Sequence, residues 1–213
     1  MISFDVDMRP EFGPVRDQGR RQTCLAFAAS DAHSIVHQRP LLELSTEYAH
    51  YSACGRMATF DPQQGTSGTA MLEALAVDGQ PPEKEWPYLA ALPLDISDYR
   101  PPIDIQGLVR HQGETLGSLD QADREIRKNW PVIFGLSLSI PFFHLSAQVL
   151  KDDGDRTVVG RHAVLAVGLF SDGAEKGYVV RNSWGAKWGS SGYGFVSRDY
   201  MEPRTVFIGV YRG

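Results

Sequence analysis

The sequence predicts an α+β fold in two halves, and three observations carry that expectation. Up to about residue 78 the apolar residues recur at helical spacing; from residue 132 they alternate with polar ones at a period of two; between them runs a segment dense in proline, with Pro81, Pro82, Pro87, Pro93, Pro101 and Pro102. Helices gathered in one half and strands in the other argue against alternating βαβ units. A single domain, 1–213, is expected, with a mainly helical part at 1–102, a mainly β part at 103–213 and a cleft where they meet.

Taken in order, residues 1–23 carry Pro10, Gly13, Pro14 and Gly19 and read as an irregular lead-in. From Cys24 apolar residues fall at 25, 28, 29, 32, 35 and 36, the mark of a central buried helix running to about Gln38 and stopping before Pro40. A second helix is expected after Ser45, whose hydroxyl can cap it with Glu47 in the first turn. A third runs from about Ser67 to Val77, with Gly79 as its stop. Ser118 and Gln121 form a capping-box pattern for a fourth, ending near Asn129. Short strands follow at 132–140, 163–170, 178–181, 193–196 and 206–211, separated by glycine-containing turns.

Composition narrows the function. With 213 residues, 42% of them apolar, the chain can bury a core without disulfides. Its 26 acidic against 21 basic residues exclude a dedicated nucleic-acid binder. No apolar run approaches the ~20 residues of a membrane span, and the stretch Met1–Asp7 lacks the basic and apolar regions of a secretory signal. The two cysteines, Cys24 and Cys54, point to a reducing compartment such as the cytoplasm.

Cys24 opens a helix, where the helix dipole and a neighbouring imidazolium would lower a thiol pKa and produce a nucleophile; taken alone, it is equally compatible with an inert packed cysteine. Its company decides. Gln18 stands six residues upstream, His162 heads an apolar strand 138 residues downstream, and Asn182 follows 20 residues later, within Arg181-Asn182-Ser183-Trp184-Gly185 and ahead of Trp188-Gly189. Gln18-Gly19, Cys24 with Ala26-Phe27, His162-Ala163-Val164 and Asn182-Ser183-Trp184-Gly185 together resemble the papain family of cysteine peptidases. Leu44-Ser45 with Tyr48, the Gly65–Thr69 loop, Trp86-Pro87-Tyr88 and Pro131-Val132 extend the resemblance over essentially the whole chain.

The resemblance implies a two-lobed fold: a helical lobe built on a central buried helix, an antiparallel β-barrel-like lobe, and the active site in the cleft between. It also implies roles: Cys24 as nucleophile, His162 as general base and then acid, Asn182 as orienter of the imidazole and Gln18 as oxyanion donor. Trp184 would shield the Asn–His hydrogen bond, with Trp188 beside it. The backbone of Gly68 and Thr69 would pair with an extended peptide, while Ala70, Met71, Gly135, Gly160 and Thr205 would surround the substrate side chain two residues before the cut. Neither cofactor nor metal is implied; the partners expected are a peptide or protein substrate and an inhibitory or regulatory protein, with a monomeric catalytic domain.

Departures from the family pattern matter. Arg21 and Thr66 stand where the family places a disulfide, Leu25 follows the nucleophile in place of Trp, and Arg161 precedes the histidine in place of an acid. Cys54 is expected as a free structural thiol, and packing of the Ala-rich helix is expected to compensate for the missing bridge. With 23 residues before the nucleophile, the chain resembles bacterial members lacking a pro-segment, or a catalytic part excised from a longer protein, with export by a specialised route as an effector one possibility. An endopeptidase is the leading expectation. An acyltransferase, deamidase or isopeptidase acting on one protein partner, and a non-catalytic peptide-binding module, are the alternatives. His33 and His37 read as a surface pair, Asp152–Asp155 as a solvated turn, and His50, His111 and His144 as carrying no chemistry.

Overall fold

The computed structural model describes residues 2–37 and 42–213. Helix α1 (Cys24–His37) is buried along most of its length, including Ala26, Ala28, Ala29 and Ala32, whose small side chains let neighbouring elements approach on every face. Its expected last residue, Gln38, and the stop at Pro40 lie outside the described residues. Helices α2 (Thr46–Cys54) and α3 (Gly68–Val77) pack beside it, capped by Ser45, which accepts from the Tyr48 N–H, and by Ser67, which accepts from the Ala70 N–H. Ser118 caps α4 (Leu119–Arg127) through the Gln121 N–H at 3.3 Å. The reciprocal bond of the box shifts one residue upstream, where the Gln121 side chain accepts from the Gly117 N–H at 2.5 Å.

Three further strands join those the alternation locates. The lead-in forms β1 (Ser3–Asp7), and β2 (Gly113–Thr115) and β4 (Val149–Leu150) are too short for a period to register. With β3 (Val132–Leu138), β5 (Gly160–Asp172), β6 (Glu175–Arg181), β7 (Tyr193–Ser197) and β8 (Thr205–Tyr211) they make an eight-stranded sheet of order β2-β8-β3-β5-β6-β7-β4, with β1 on β5. All pairings are antiparallel save β4 with β7. One-turn helices α5 (Ile140–Phe143) and α6 (Arg198–Met201) cap turns of the sheet. Helix α1 packs on β5, β3 and β8, giving the two-lobed α+β architecture the sequence predicts.

Gln80 is one polar group inside this core that is fully used. The Gln80 amide donates to Ser30 Oγ (2.6 Å) and to the Ser45 carbonyl (2.9 Å), and its Oε1 lies 2.9 Å from His33 Nδ1, joining α1, the start of α2 and the proline-rich crossing. His33 is therefore no surface residue. It is fully buried against the rings of His111 and Tyr211, and burial drives its pKa down to about 4. Among the described residues no group of three or more His, Cys, Asp or Glu stands ready to hold a metal. The stretch 152–155 is an exposed turn with Gly154 at φ +79° and Arg156 paired to Asp152.

Asp31, on α1, ties the lobes together. Its two carboxylate oxygens accept from Arg16 Nη2 and Arg181 Nε, both at 2.7 Å. The Arg181 guanidinium also donates to the carbonyls of Gly13 (3.0 Å) and Pro14 (2.8 Å) and to Tyr193 Oη (2.8 Å). The two cations hold the buried Asp31 carboxyl below its ordinary range despite desolvation. Removing one partner of such a buried group is far costlier than the pair's net worth, so Asp31→Ala should lower unfolding free energy by about 3–5 kcal/mol. Asp31→Asn, which keeps one acceptor oxygen and the shape, should lose less; urea titration reads both, and a loss under ~1 kcal/mol for the alanine variant would remove the clamp from the account.

Candidate active site

A cleft of about 900 Å³ opens between the start of α1 and the ends of β3 and β5, lined among others by Gln18, Cys24, Gly68, Thr69, Gly135, Gly160, His162 and Trp184. Cys24 opens α1, and the hydroxyl of Thr23 just before it bonds Tyr88 Oη at 2.8 Å. The backbone N–H groups of Ala163, Leu25 and Cys24 act on the thiol and favour its anion, while burial, the larger effect, pushes its pKa up. Contact with Ala163 sets the sulfur beside the residue that follows His162 on β5.

His162 is buried, and its Nε2 lies 2.6 Å from Asn182 Oδ1. That Asn atom also accepts from the Ser183 N–H at 2.8 Å, which identifies it as the amide oxygen and places the imidazole proton on Nε2. Nδ1 is left as the free base. Trp184 lies over the imidazole, ring centroids 4.4 Å apart, and Phe143 stacks on the outer side of the indole at 5.2 Å. These rings exclude water from the His–Asn bond. Burial lowers the His162 pKa to about 4, with the Asn182 bond opposing. Burial thus makes both the thiol and the imidazole resist charging.

Gln18 is fixed from both ends. Its Nε2 donates to the Arg21 carbonyl at 2.7 Å and its Oε1 accepts from Ser183 Oγ at 2.6 Å, so the amide is oriented and one N–H is left over. Ser183 thus serves Gln18 while its neighbour Asn182 serves His162, a residue the sequence reading quoted without giving it a task. Arg21 is itself pinned: Nη1 and Nη2 meet the fully buried Glu47 at 2.6 and 2.8 Å, and Tyr99 Oη donates to the same carboxylate at 2.5 Å. The loop that lacks a disulfide is held by this ion pair rather than by packing of the Ala-rich helix alone. Cys24 and Cys54 are both unpaired; Cys54 is buried beside His50, and burial pushes its thiol up to about 12.

Four of the residues placed on the cleft by sequence stand off its wall. Ala70 and Met71 are buried on the inner face of α3, because Ser67 caps that helix so early that both fall inside its first turn. Trp188 is buried behind Trp184, its Nε1 donating to the Phe142 carbonyl at 3.0 Å. Thr205 turns its hydroxyl onto the Met201 carbonyl at 2.8 Å. Val206 and Phe207 take its place on the wall. The Phe207 ring lies so near Gly68 that a Cβ there would come within 2.2 Å of it, the ring also approaches Gly209, and Gly135 faces the Phe207 Cβ. Three glycines clearing room for one aromatic is the signal that could have found it.

The family profile described as "Papain family cysteine protease" matches residues 2–206. Among curated relatives, cysteine proteinase 3 of Entamoeba histolytica is 26% identical over 209 residues, covering 91% of this chain and 62% of that one. Cathepsin K of Gallus gallus is 29% identical over 198 residues, covering 89% of this chain and 56% of that one. The chain therefore spans less than two thirds of the length of these relatives. Two solved structures share the fold: xylellain, a cysteine protease from Xylella fastidiosa, with TM-score 0.77 and 22% identity over 99% of this chain and 87% of that one, and the Carica candamarcensis cysteine protease CMS1MS2 in complex with E-64, with TM-score 0.75 and 20% identity over 97% of each.

Gly68→Ala should force the Phe207 ring out of its seat and cost about 1–3 kcal/mol, the usual range for overpacking. Thermal unfolding of Gly68→Ala in the Phe207→Ala background should show that cost relieved; an equal loss in both backgrounds would put the strain elsewhere.

Proposed function

Because the chain belongs to the papain family of cysteine proteases, we propose that it is an endopeptidase hydrolysing peptide bonds through a thioester on Cys24. The observation that supports this most directly is the convergence of Cys24, the His162–Asn182 pair and the oriented Gln18 amide on one cleft. The Cys24 proton passes to His162 Nδ1, the thiolate attacks the scissile carbonyl carbon, and the oxyanion takes hydrogen bonds from the leftover Gln18 N–H and the Cys24 backbone N–H. His162 then gives its proton to the departing amine. Water, deprotonated at Nδ1, attacks the thioester, the carboxylic product leaves, and the proton returns to the sulfur.

Asn182 holds the Nε2–H throughout, so that Nδ1 is the atom that takes up and gives back the moving proton, and Trp184 keeps the supporting bond dry. The ion pair in place of a disulfide suits a reducing compartment, which is where we place the activity, and a protein seated across the cleft would restrain it.

Cys24→Ala should abolish hydrolysis of fluorogenic peptides while leaving the circular-dichroism spectrum and melting temperature unchanged. Peptide turnover persisting in that variant would overturn the nucleophile. Electrophile labelling of Cys24 in a wild type that cleaves no peptide would instead move the thioester to transfer or deamidation on a protein partner, and no selective labelling over Cys54 would mark a binding module. Gln18→Ala should lower kcat by about 10²–10³; full kcat would take its amide out of the oxyanion site.

A further inference from the structure

The cleft has a charge balance opposite to that of the chain. Overall 26 acidic residues exceed 21 basic ones, yet among the described residues that line the cleft Arg20, Arg21 and Arg161 are cationic and none is a carboxylate. Arg21 is neutralised by Glu47. Arg20 and Arg161 are exposed, and among the described residues neither has an ion pair or a side-chain hydrogen bond. Asp17, the acid near Arg20 in sequence, accepts from the Gly19 N–H at 2.8 Å and is not part of the wall.

Both residues with free guanidinium groups line the cleft that holds Cys24 and His162. Arg20 lies two residues beyond Gln18, and Arg161 immediately precedes His162 on β5. A concave wall of low polarisability concentrates the field of such charges, and a planar guanidinium matches a carboxylate with two parallel N–H···O bonds.

We infer that the site selects peptides carrying a carboxylate side chain close to the scissile bond, received by Arg161 and Arg20. The inference rests on the peptidase reading above and names its substrate class. Arg161 and Arg20 are specificity residues in it and take no part in bond breaking.

The test uses matched peptides that differ only in Glu, Gln or Lys at each position within two residues of the cut. For wild type, kcat/KM should favour Glu over Gln by about tenfold at low ionic strength, with Lys below Gln, and the preference should shrink toward about twofold at ~0.5 M salt. Comparing substrates on one enzyme cancels any effect of Arg161 on the adjacent histidine. Arg161→Glu should shift the order toward Lys, Arg161→Lys should retain the acidic preference, and Arg20→Gln/Arg161→Gln should bring the Glu-to-Gln ratio to about one. The same peptides are titrated calorimetrically into Cys24→Ala. Cleavage and binding indifferent to Glu, Gln and Lys would overturn the inference and leave the peptidase reading standing. Salt- and arginine-dependent binding of Glu peptides without any cleavage by wild type would do the reverse, and indifferent binding without cleavage would overturn both.

Discussion

The carboxylate of Asp31 is the point on which the two halves of this molecule depend. It lies on the central helix seven residues after Cys24, two turns further along and on the same face, and it receives one guanidinium from the lead-in and another from the sheet. Arg181, the sheet's contribution, is the residue before Asn182. Cys24 and Asn182 are thus hung from opposite ends of one buried ion pair. Desolvating three charges is expensive, and the hydrogen bonds from Arg181 to Gly13, Pro14 and Tyr193 are what make the arrangement tolerable. Geometric fixity between lobes, more than net stability, is what such a cluster supplies.

A second, smaller system repeats the logic at the mouth of the helix. Glu47 on α2 holds the Arg21 side chain, the Arg21 carbonyl holds the Gln18 amide, and Ser183 holds the other end of that amide. Tyr88 adds a stitch, donating to the Gln18 carbonyl at 2.8 Å while bonding Thr23. The Gln18 amide is therefore positioned by groups from both lobes at once. This is the kind of supporting shell that lets a flexible glutamine act as a fixed dipole, because each of its rotamers but one would strand a polar group.

Much of this was legible in the sequence, and the reasons differ from residue to residue. The helix caps Ser45, Ser67 and Ser118 could be read because they act locally, through an N–H three residues away. Cys24, His162, Asn182 and Gln18 stood out because their residue types and order fit one chemistry. Phe207 was missed because its role is set by absent side chains on three strands and helices, at Gly68, Gly135 and Gly209, which sequence spacing does not bring together. His33 was read as a surface residue because a lone polar residue on a helix gives no hint of Gln80, 47 positions on, which receives it. Strand β1 alternates Phe4 and Val6 with Ser3, Asp5 and Asp7, but it is short, mostly exposed and followed at once by Pro10, Gly13 and Pro14, so it reads as lead-in; its place comes from pairing with β5. Arg21 could be read only as the residue standing in place of a family cysteine and Glu47 only as a first-turn acid of its helix; nothing local says that the fold pairs them.

The pin at Arg21 changes how the cleft relates to its surroundings. Where a disulfide holds the loop before a catalytic thiol, the two sulfur sites want opposite conditions: the bridge persists under oxidation, whereas the nucleophile survives under reduction. Here the tie is ionic and contains no sulfur. The solvent that best preserves Cys24 has no purchase on the structure that aims it, so competence and integrity no longer trade against each other along the redox axis. The dependence moves from thiol concentration to a buried charge pair, which added salt screens little.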